Sequence, residues 1–150
     1  MCLKNVKYAF CIVSYKTILN LASLQNGHSL TVVQMAFSPN DKYLLTVSRD
    51  RTLCVWDMSN YSLLFKTDKK SSIHARIIWA CDWSADSKYF VTVGRDKKCV
   101  IWSLEDKKSI CQEPLILPNS ATAVAIQPES ITNKLNIVIG KQFSSHSHGI

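Results

Sequence analysis

Threonine, histidine and aspartate are the side chains of an acyl-transfer triad, and this sequence sets them out twice, each time with a tryptophan. His28, Thr46, Asp50 and Trp56 recur as His74, Thr92, Asp96 and Trp102, every pair 46 residues apart with no insertion. A threonine hydroxyl next to a histidine that an aspartate orients could serve as an activated nucleophile. The duplication argues the other way. A nucleophilic triad has no reason to reappear in identical register, whereas a structural repeat copies its buried polar set by construction.

The elements around these residues repeat as well. Residues 28–57 read HSLTVVQMAFSPNDKYLLTVSRDRTLCVWD and residues 74–103 read HARIIWACDWSADSKYFVTVGRDKKCVIWS. Each is an apolar run, a turn, a second run, a tight turn and a third run ending in Trp, the pattern of a propeller blade of short strands. In the first copy the alternation puts Val33, Met35 and Phe37 on one face of a strand, and that face is expected to be the half-buried one. Ser38-Pro39-Asn40-Asp41 makes the turn, since Pro presets φ and the short Asn and Asp side chains satisfy turn backbone. Strands are expected over Tyr43 to Val47 and Leu53 to Trp56, joined through Ser48-Arg49-Asp50-Arg51, with a fourth over Tyr61 to Thr67. In the second copy the stretch ICQEPLILP after Trp102 takes the place of that fourth strand.

The fold class is therefore all-β: two complete blades, residues 28–72 and 73–118, stacked face to face, with little helix. Residues 119–140 form a degenerate partial repeat in which Val124, Ile126 and Pro128 line up with Cys81, Trp83 and Ala85, and KLNIVIG supplies a second strand. No Asp follows Gly140 and no third Trp appears, so residues 141–150 read as a flexible tail. Residues 1–27 are read as part of a preceding blade, with strands over Tyr8 to Val13 and Thr17 to Leu24. A secretory signal is the competing reading of this basic, apolar segment, but Lys16 interrupts the apolar core and neither run reaches the ~20 residues of a membrane span. Closed propellers need ~4–8 blades, so the chain is expected to be an incomplete ring: a fragment, a truncated product or one part of an assembly.

With 150 residues, 47% of them hydrophobic, the chain is globular rather than disordered. Its net charge of +7 is concentrated at turns, where Arg49, Arg51, Arg95 and Lys97 form a candidate partner-binding rim for an acidic protein surface or RNA. The six cysteines include no CxxC pair. Cys54, Cys81 and Cys99 fall inside strands as small apolar fillers, which suits a reducing compartment. His146 and His148 sit in a Ser-rich tail and are not read as a metal pair. No metal, cofactor or catalytic residue is expected.

The two copies resemble the WD40 repeat family. The resemblance implies a buried chain in which the Trp indole N–H reaches the Thr hydroxyl, Thr reaches a His nitrogen, and His reaches Asp. Two details depart from the usual repeat: Ile73-His74 stands for Gly-His and Trp102-Ser103 for Trp-Asp. More narrowly, RIIWACDWS ahead of SKYF and RDKK resembles the WD40-subunit family of the Elongator complex, over residues 24–104 well and 120–140 loosely. That implies a non-catalytic scaffold, found in cytoplasm and nucleus. Its partners would be the other Elongator subunits: the largest scaffold subunit and the catalytic radical-SAM and acetyltransferase-like subunit. These serve wobble-uridine modification of tRNA, with a link to transcription elongation, an indirect or weak tRNA contact and no membrane. A WD40 adaptor of another complex would share every blade feature and differ in its partners. A Thr/His/Asp hydrolase would differ in exposure, since a nucleophile must reach solvent.

Overall fold

In the computed structural model the described residues are 13–14, 17–18, 27–70, 72–110, 113–127 and 136–141, and every regular element among them is a β-strand. Two antiparallel sheets carry the repeats. The first orders β3 (Val32–Phe37), β4 (Tyr43–Ser48), β5 (Leu53–Asp57) and β6 (Ser62–Lys66) side by side. The second orders β7 (Ile78–Trp83), β8 (Tyr89–Gly94) and β9 (Lys98–Ser103), with β10 (Lys108–Ser109) and β11 (Leu115–Ile116) both pairing with β9. Sequence order equals spatial order, as short hairpins require.

Turn chemistry repeats with the strands. Asp41 N–H donates to Ser38 O across the Pro39 turn at 2.9 Å, and Ser87 N–H donates to Ser84 O at 2.9 Å in the second blade. Among the described residues, all six non-glycine residues with positive φ fall into three pairs 46 apart: Asp41 and Ser87, Arg51 and Lys97, Tyr61 and Lys107. One such residue therefore sits in each of the three hairpins of each blade, so the backbone path is copied along with the side chains.

The blades meet face to face. Leu45, Val47, Leu53 and Val55 of the first pack against Ile78, Cys81, Trp83, Phe90, Val100 and Trp102 of the second. Aromatic rings bind the seam, with Tyr43 stacked on Trp83 at 6.3 Å and Phe65 tilted against Trp102 at 6.4 Å. Hydrogen bonds fix the stagger: Trp83 Nε1–H donates to Ala36 O at 3.0 Å and Cys81 N–H to Gln34 Oε1 at 3.1 Å.

On its other side the second blade is covered by the hairpin of β12 (Ala123–Ile126) and β13 (Ile137–Gly140), whose Val124, Ile126, Ile137 and Ile139 pack with Ala80, Val91, Val93 and Cys99. These two strands fall in the stretch expected to be a degenerate third repeat; Pro128 lies outside the described residues. Of the N-terminal strands expected from the sequence, β1 (Val13–Ser14) and β2 (Thr17–Ile18) form an antiparallel hairpin, and the rest of residues 8–24 lies outside the described residues, as does the tail from 142 onward with His146 and His148.

Two expectations are corrected. The face shared by Met35 and Phe37 is the exposed one, at 42% and 52%, while Gln34 and Ala36 point to the second blade. Alternation gives the two faces of a strand but not which of them a neighbour covers. The outer strand of the second blade is not continuous either. Ser109 lies opposite Trp102 and Leu115 opposite Cys99, so six positions on the outer strand span three on β9. Pro114, which lacks an N–H to give the ladder, stands just before the pairing resumes.

Candidate functional site

Each tetrad is assembled from the loop before the first strand, the second strand, the hairpin after it and the third strand. In the first blade Trp56 Nε1–H donates to Thr46 Oγ1 at 3.0 Å, and His28 Nε2 lies 2.8 Å from the same oxygen. In the second blade the matching distances are 2.9 Å from Trp102 and 2.8 Å from His74 to Thr92 Oγ1. An acceptor facing Nδ1 in each blade calls for the ring proton there, so Nε2 accepts from the threonine hydroxyl, which in turn accepts from the indole.

The carboxylate end differs between the copies. His74 Nδ1 meets Asp96 directly, at 3.1 Å to Oδ1 and 3.2 Å to Oδ2. His28 Nδ1 is 3.4 Å from Asp50 Oδ1 and lies closer, at 2.9 Å, to Thr52 Oγ1, which itself donates to Asp50 Oδ1 at 2.5 Å. Thr52 is thus a member of the first network that sequence reasoning missed. Its equivalent 46 residues on is Lys98, so the repeat gave no signal for it.

Backbone amides close the rest of each carboxylate. Asp50 accepts from Ser29 N–H at 2.6 Å and Thr52 N–H at 2.9 Å, and Asp96 from Ala75 N–H at 2.8 Å and Lys98 N–H at 3.3 Å. Burial alone would raise the Asp50 carboxyl, but the bonds from His28, Thr52 and these amides outweigh it and hold the group well below the usual carboxylate range. At Asp96 burial is likewise opposed, by His74 and the Ala75 and Lys98 amides, and the carboxyl is again lowered. A lysine caps the carbonyl preceding each histidine: Lys66 Nζ donates to Gly27 O at 2.6 Å and Lys98 Nζ to Ile73 O at 2.7 Å. The two lysines come from different strands and converge on one task.

Chemically, the networks are closed. Thr46 and Thr92 are both 0% exposed, and each hydroxyl is engaged on both sides. A nucleophile must meet its substrate, and these two have no approach. Every buried polar side-chain atom among the described residues has a partner, as a polar cluster in a core requires. The strand thiols are no better placed: burial pushes Cys54 up to about 12 and Cys81 upward as well, so both stay protonated and unreactive. Among the described residues no group of three His, Cys, Asp or Glu is arranged to hold a metal.

The exposed chemistry lies at the hairpin tips. Arg49, Arg51, Arg95 and Lys97 are all exposed, in the β4–β5 and β8–β9 turns at one end of the stack. The β6–β7 loop opens on that same end with exposed Lys69, Lys70 and Arg76 around one exposed acid, Asp68, while Asp50 and Asp96 are committed to histidines. At the opposite end Lys42, Lys88 and Lys107 alternate with Asp41, Asp86, Glu105 and Asp106. The charge is segregated, with one basic end and one mixed end.

Comparison with known proteins matches this geometry. The model of the WD domain, G-beta repeat, fits residues 19–57 and 67–103. Elongator complex protein 2 of Homo sapiens is 49% identical over 79 residues, which cover 47% of this chain and 9% of that protein. The Schizosaccharomyces pombe protein of the same name is 32% identical over 126 residues, 82% of this chain and 17% of that one. The chain therefore spans less than a fifth of the length of these relatives. Among solved structures, the RRP9 WD40 repeats superpose with a TM-score of 0.63 at 18% identity, over 69% of this chain and 31% of that one. The β-propeller domain of Myceliophteria thermophila Cps50 (Swd1) does so at 0.60 and 18%, with the same coverage. With two blades built on paired His-Thr-Asp-Trp networks and a family model covering both, the chain belongs to the WD40 repeat family.

Proposed function

We propose that the chain is a non-catalytic docking segment of an Elongator scaffold subunit of the Elongator complex protein 2 type, acting in support of wobble-uridine modification of tRNA in cytoplasm and nucleus. The observation that carries this reading is the 49% identity, over 79 residues, to a protein of that name. The closed Thr-His-Asp networks agree with it, because they leave hairpin tips and loops rather than reactive side chains as the working surface. Its partners are then the largest scaffold subunit and the catalytic radical-SAM and acetyltransferase-like subunit. The basic end contributes to docking through Arg49, Arg51, Arg95 and Lys97, where a guanidinium fork grips carboxylate or phosphate in two places.

The test is capture of endogenous partners by the tagged chain at low and moderate salt. Elongator subunits should be recovered, and recovery should fall with salt and with Arg51→Glu combined with Lys97→Glu, while the melting temperature holds. Recovery of a different WD40 assembly would make the chain an adaptor of another complex.

A further inference from the structure

One large apolar side chain at the basic end packs into neither face of its blade. Along β7 and β8, Ile78 pairs with Gly94 and Ala80 with Val93, which leaves Trp79 as the extra residue of a β-bulge. A bulge turns its extra side chain out of the alternation that the rest of the strand follows. Ile78, Cys81 and Trp83 accordingly join the seam with the first blade and Ala80 the cluster on the other side, whereas Trp79 belongs to neither cluster and is half-buried. Trp56, Trp83 and Trp102 are 3%, 4% and 4% exposed, and their indole N–H groups donate to Thr46 Oγ1, Ala36 O and Thr92 Oγ1. The Trp79 indole N–H has no hydrogen-bond partner among the described residues. β7 is packed by β3 on one side and β12 on the other, so this setting is defined without any further blade.

The bulge lies at the basic end. Gly94 opens the β8–β9 turn, and Arg95 N–H donates to Ile77 O at 2.8 Å, two residues before Trp79. Arg76, Arg95 and Lys97 are exposed there, and Arg49 and Arg51 are exposed in the matching turn of the first blade. The first blade repeats the bulge as well: Val32 pairs with Ser48 and Gln34 with Val47, which leaves Val33, also half-buried, as the extra residue. Neighbouring inner strands thus bring a valine and an indole to one end, bordered by cations. An aromatic anchor within an arginine-bearing border is the composition of a protein-docking surface, where tryptophan and arginine dominate the binding energy. Asp68 is the exposed acid of that end, and Asp50 and Asp96 are committed to histidines, so the cations outnumber the carboxylates available to them.

We infer that this end binds an extended acidic segment of a partner protein, with an apolar side chain of the segment seated on Trp79 and its carboxylates on Arg76, Arg95 and Lys97. The inference rests on the docking reading above and adds the chemistry of the partner. Such a segment uses both features: its side chain removes the indole ring from water, and its carboxylates or carbonyls accept from the guanidinium forks and the indole N–H. Single-stranded RNA fits less well, because it stacks successive bases on successive aromatic rings and the matching position of the next blade holds Val33. A duplex backbone would use the charges and leave the indole idle.

Acrylamide quenching of tryptophan fluorescence in the 150-residue chain tests the inference, since the other three tryptophans are buried and Trp79 is the one a quencher reaches. The probes are a peptide of glutamates around a central phenylalanine, the same peptide with alanine at its centre, and oligouridylate. The phenylalanine peptide should shield Trp79 from acrylamide and bind about tenfold tighter than the alanine peptide, with both affinities falling as salt rises. Trp79→Ala, followed by anisotropy of labelled peptides, should erase that tenfold difference, and Arg76→Glu with Arg95→Glu should weaken both peptides at an unchanged melting temperature. Equal affinity for the two peptides, binding that leaves Trp79 open to acrylamide, no binding of either, or oligouridylate that binds tighter and shields Trp79 would each overturn the inference. The docking reading falls by a separate result, the absence of Elongator subunits from the capture, and stands if only the peptides fail.

Discussion

The two blades share a backbone and a tetrad, yet they hold the tetrad's carboxylate in different ways. In the second blade Gly94 leaves room for His74 and Asp96 to meet at 3.1 Å. In the first, Ser48 stands at the equivalent position, its hydroxyl bonds Thr31 O at 2.9 Å and Leu30 O at 3.2 Å, and Thr52 bridges the longer gap from His28 to Asp50. The repeat thus conserves an outcome, a satisfied buried imidazole, rather than a list of contacts. Either arrangement meets the requirement that no buried donor or acceptor be left alone.

The largest expected effect tests how far coverage by a neighbour, rather than position in the repeat, sets stability. Trp102 lies between Phe90 of its own blade, stacked at 6.1 Å, and Phe65 of the other, whereas Trp56 packs in a smaller cluster with Leu44 and Cys54. Trp102→Ala should cost about 3–5 kcal/mol and Trp56→Ala less, toward the lower end of that range. Urea unfolding of the two variants gives the comparison. Equal losses would mean that the seam adds nothing to what each blade does alone.

What was legible in the sequence follows the same division. His28, Thr46, Asp50 and Trp56 stood out because each recurs unchanged at one separation, and a buried network tolerates no loose member. Thr52 and Lys98 were illegible because they differ at one position while each completes its own blade. The lysines on Gly27 O and Ile73 O reach across 39 and 25 residues, distances that no local pattern encodes. The strand alternation at Met35 and Phe37 was readable, but which face is covered depends on a neighbouring blade, and that is not a property of the strand. The interrupted outer strand of the second blade depends likewise on where the pairing resumes after Pro114.

A second experiment exchanges the two blades' devices. A Cβ at Gly94 would lie 2.7 Å from Asp96 Oδ1 and 2.8 Å from Ile77 O, and the latter is backbone that cannot swing away. Gly94→Ser should destabilise by about 1–3 kcal/mol through overpacking. Ser48→Ala in the first blade should cost about 1–3 kcal/mol, because the hydroxyl donates to the Thr31 and Leu30 carbonyls and accepts from the buried Asp50 amide, which loses its partner. A Gly94→Ser variant as stable as the parent would show that the second hairpin can relax to the first one's geometry, and the contrast between the blades would lose its physical basis.

Acid sharpens the contrast further. Both carboxyls are held below their ordinary value in the folded chain, so the unfolded chain takes up protons first. Their contribution is fully present above about pH 4 and is lost as pH falls below it. Thr52→Val removes the hydroxyl bond to Asp50 and should flatten the acid limb of the stability curve. Lys98→Met should leave that limb unchanged, because the Lys98 side chain bonds Ile73 O and only its backbone amide reaches Asp96. Urea midpoints followed downward from neutral pH give both slopes; parallel curves for Thr52→Val and parent would remove Thr52 from the network.

The smallest effect separates the frame from the surface it carries. Arg51 and Lys97 occupy matching hairpin positions with φ of 71° and 62°, in the left-handed region. That conformation costs an L-residue about 1–2 kcal/mol, and glycine returns about 0.5–1 kcal/mol of the gain as chain entropy lost on folding. Arg51→Gly and Lys97→Gly should therefore each stabilise by about 0.5 kcal/mol, read as a small rise in melting temperature. The same substitutions delete half of the charges on the proposed rim, so partner capture at low salt should fall while stability rises. Arg51→Asn removes the charge but adopts the left-handed region with less relief than glycine; capture should fall equally with a smaller gain in stability. If capture followed the melting temperature instead, the hairpin tips would be acting through the blades' rigidity and not through their charge, in both blades alike.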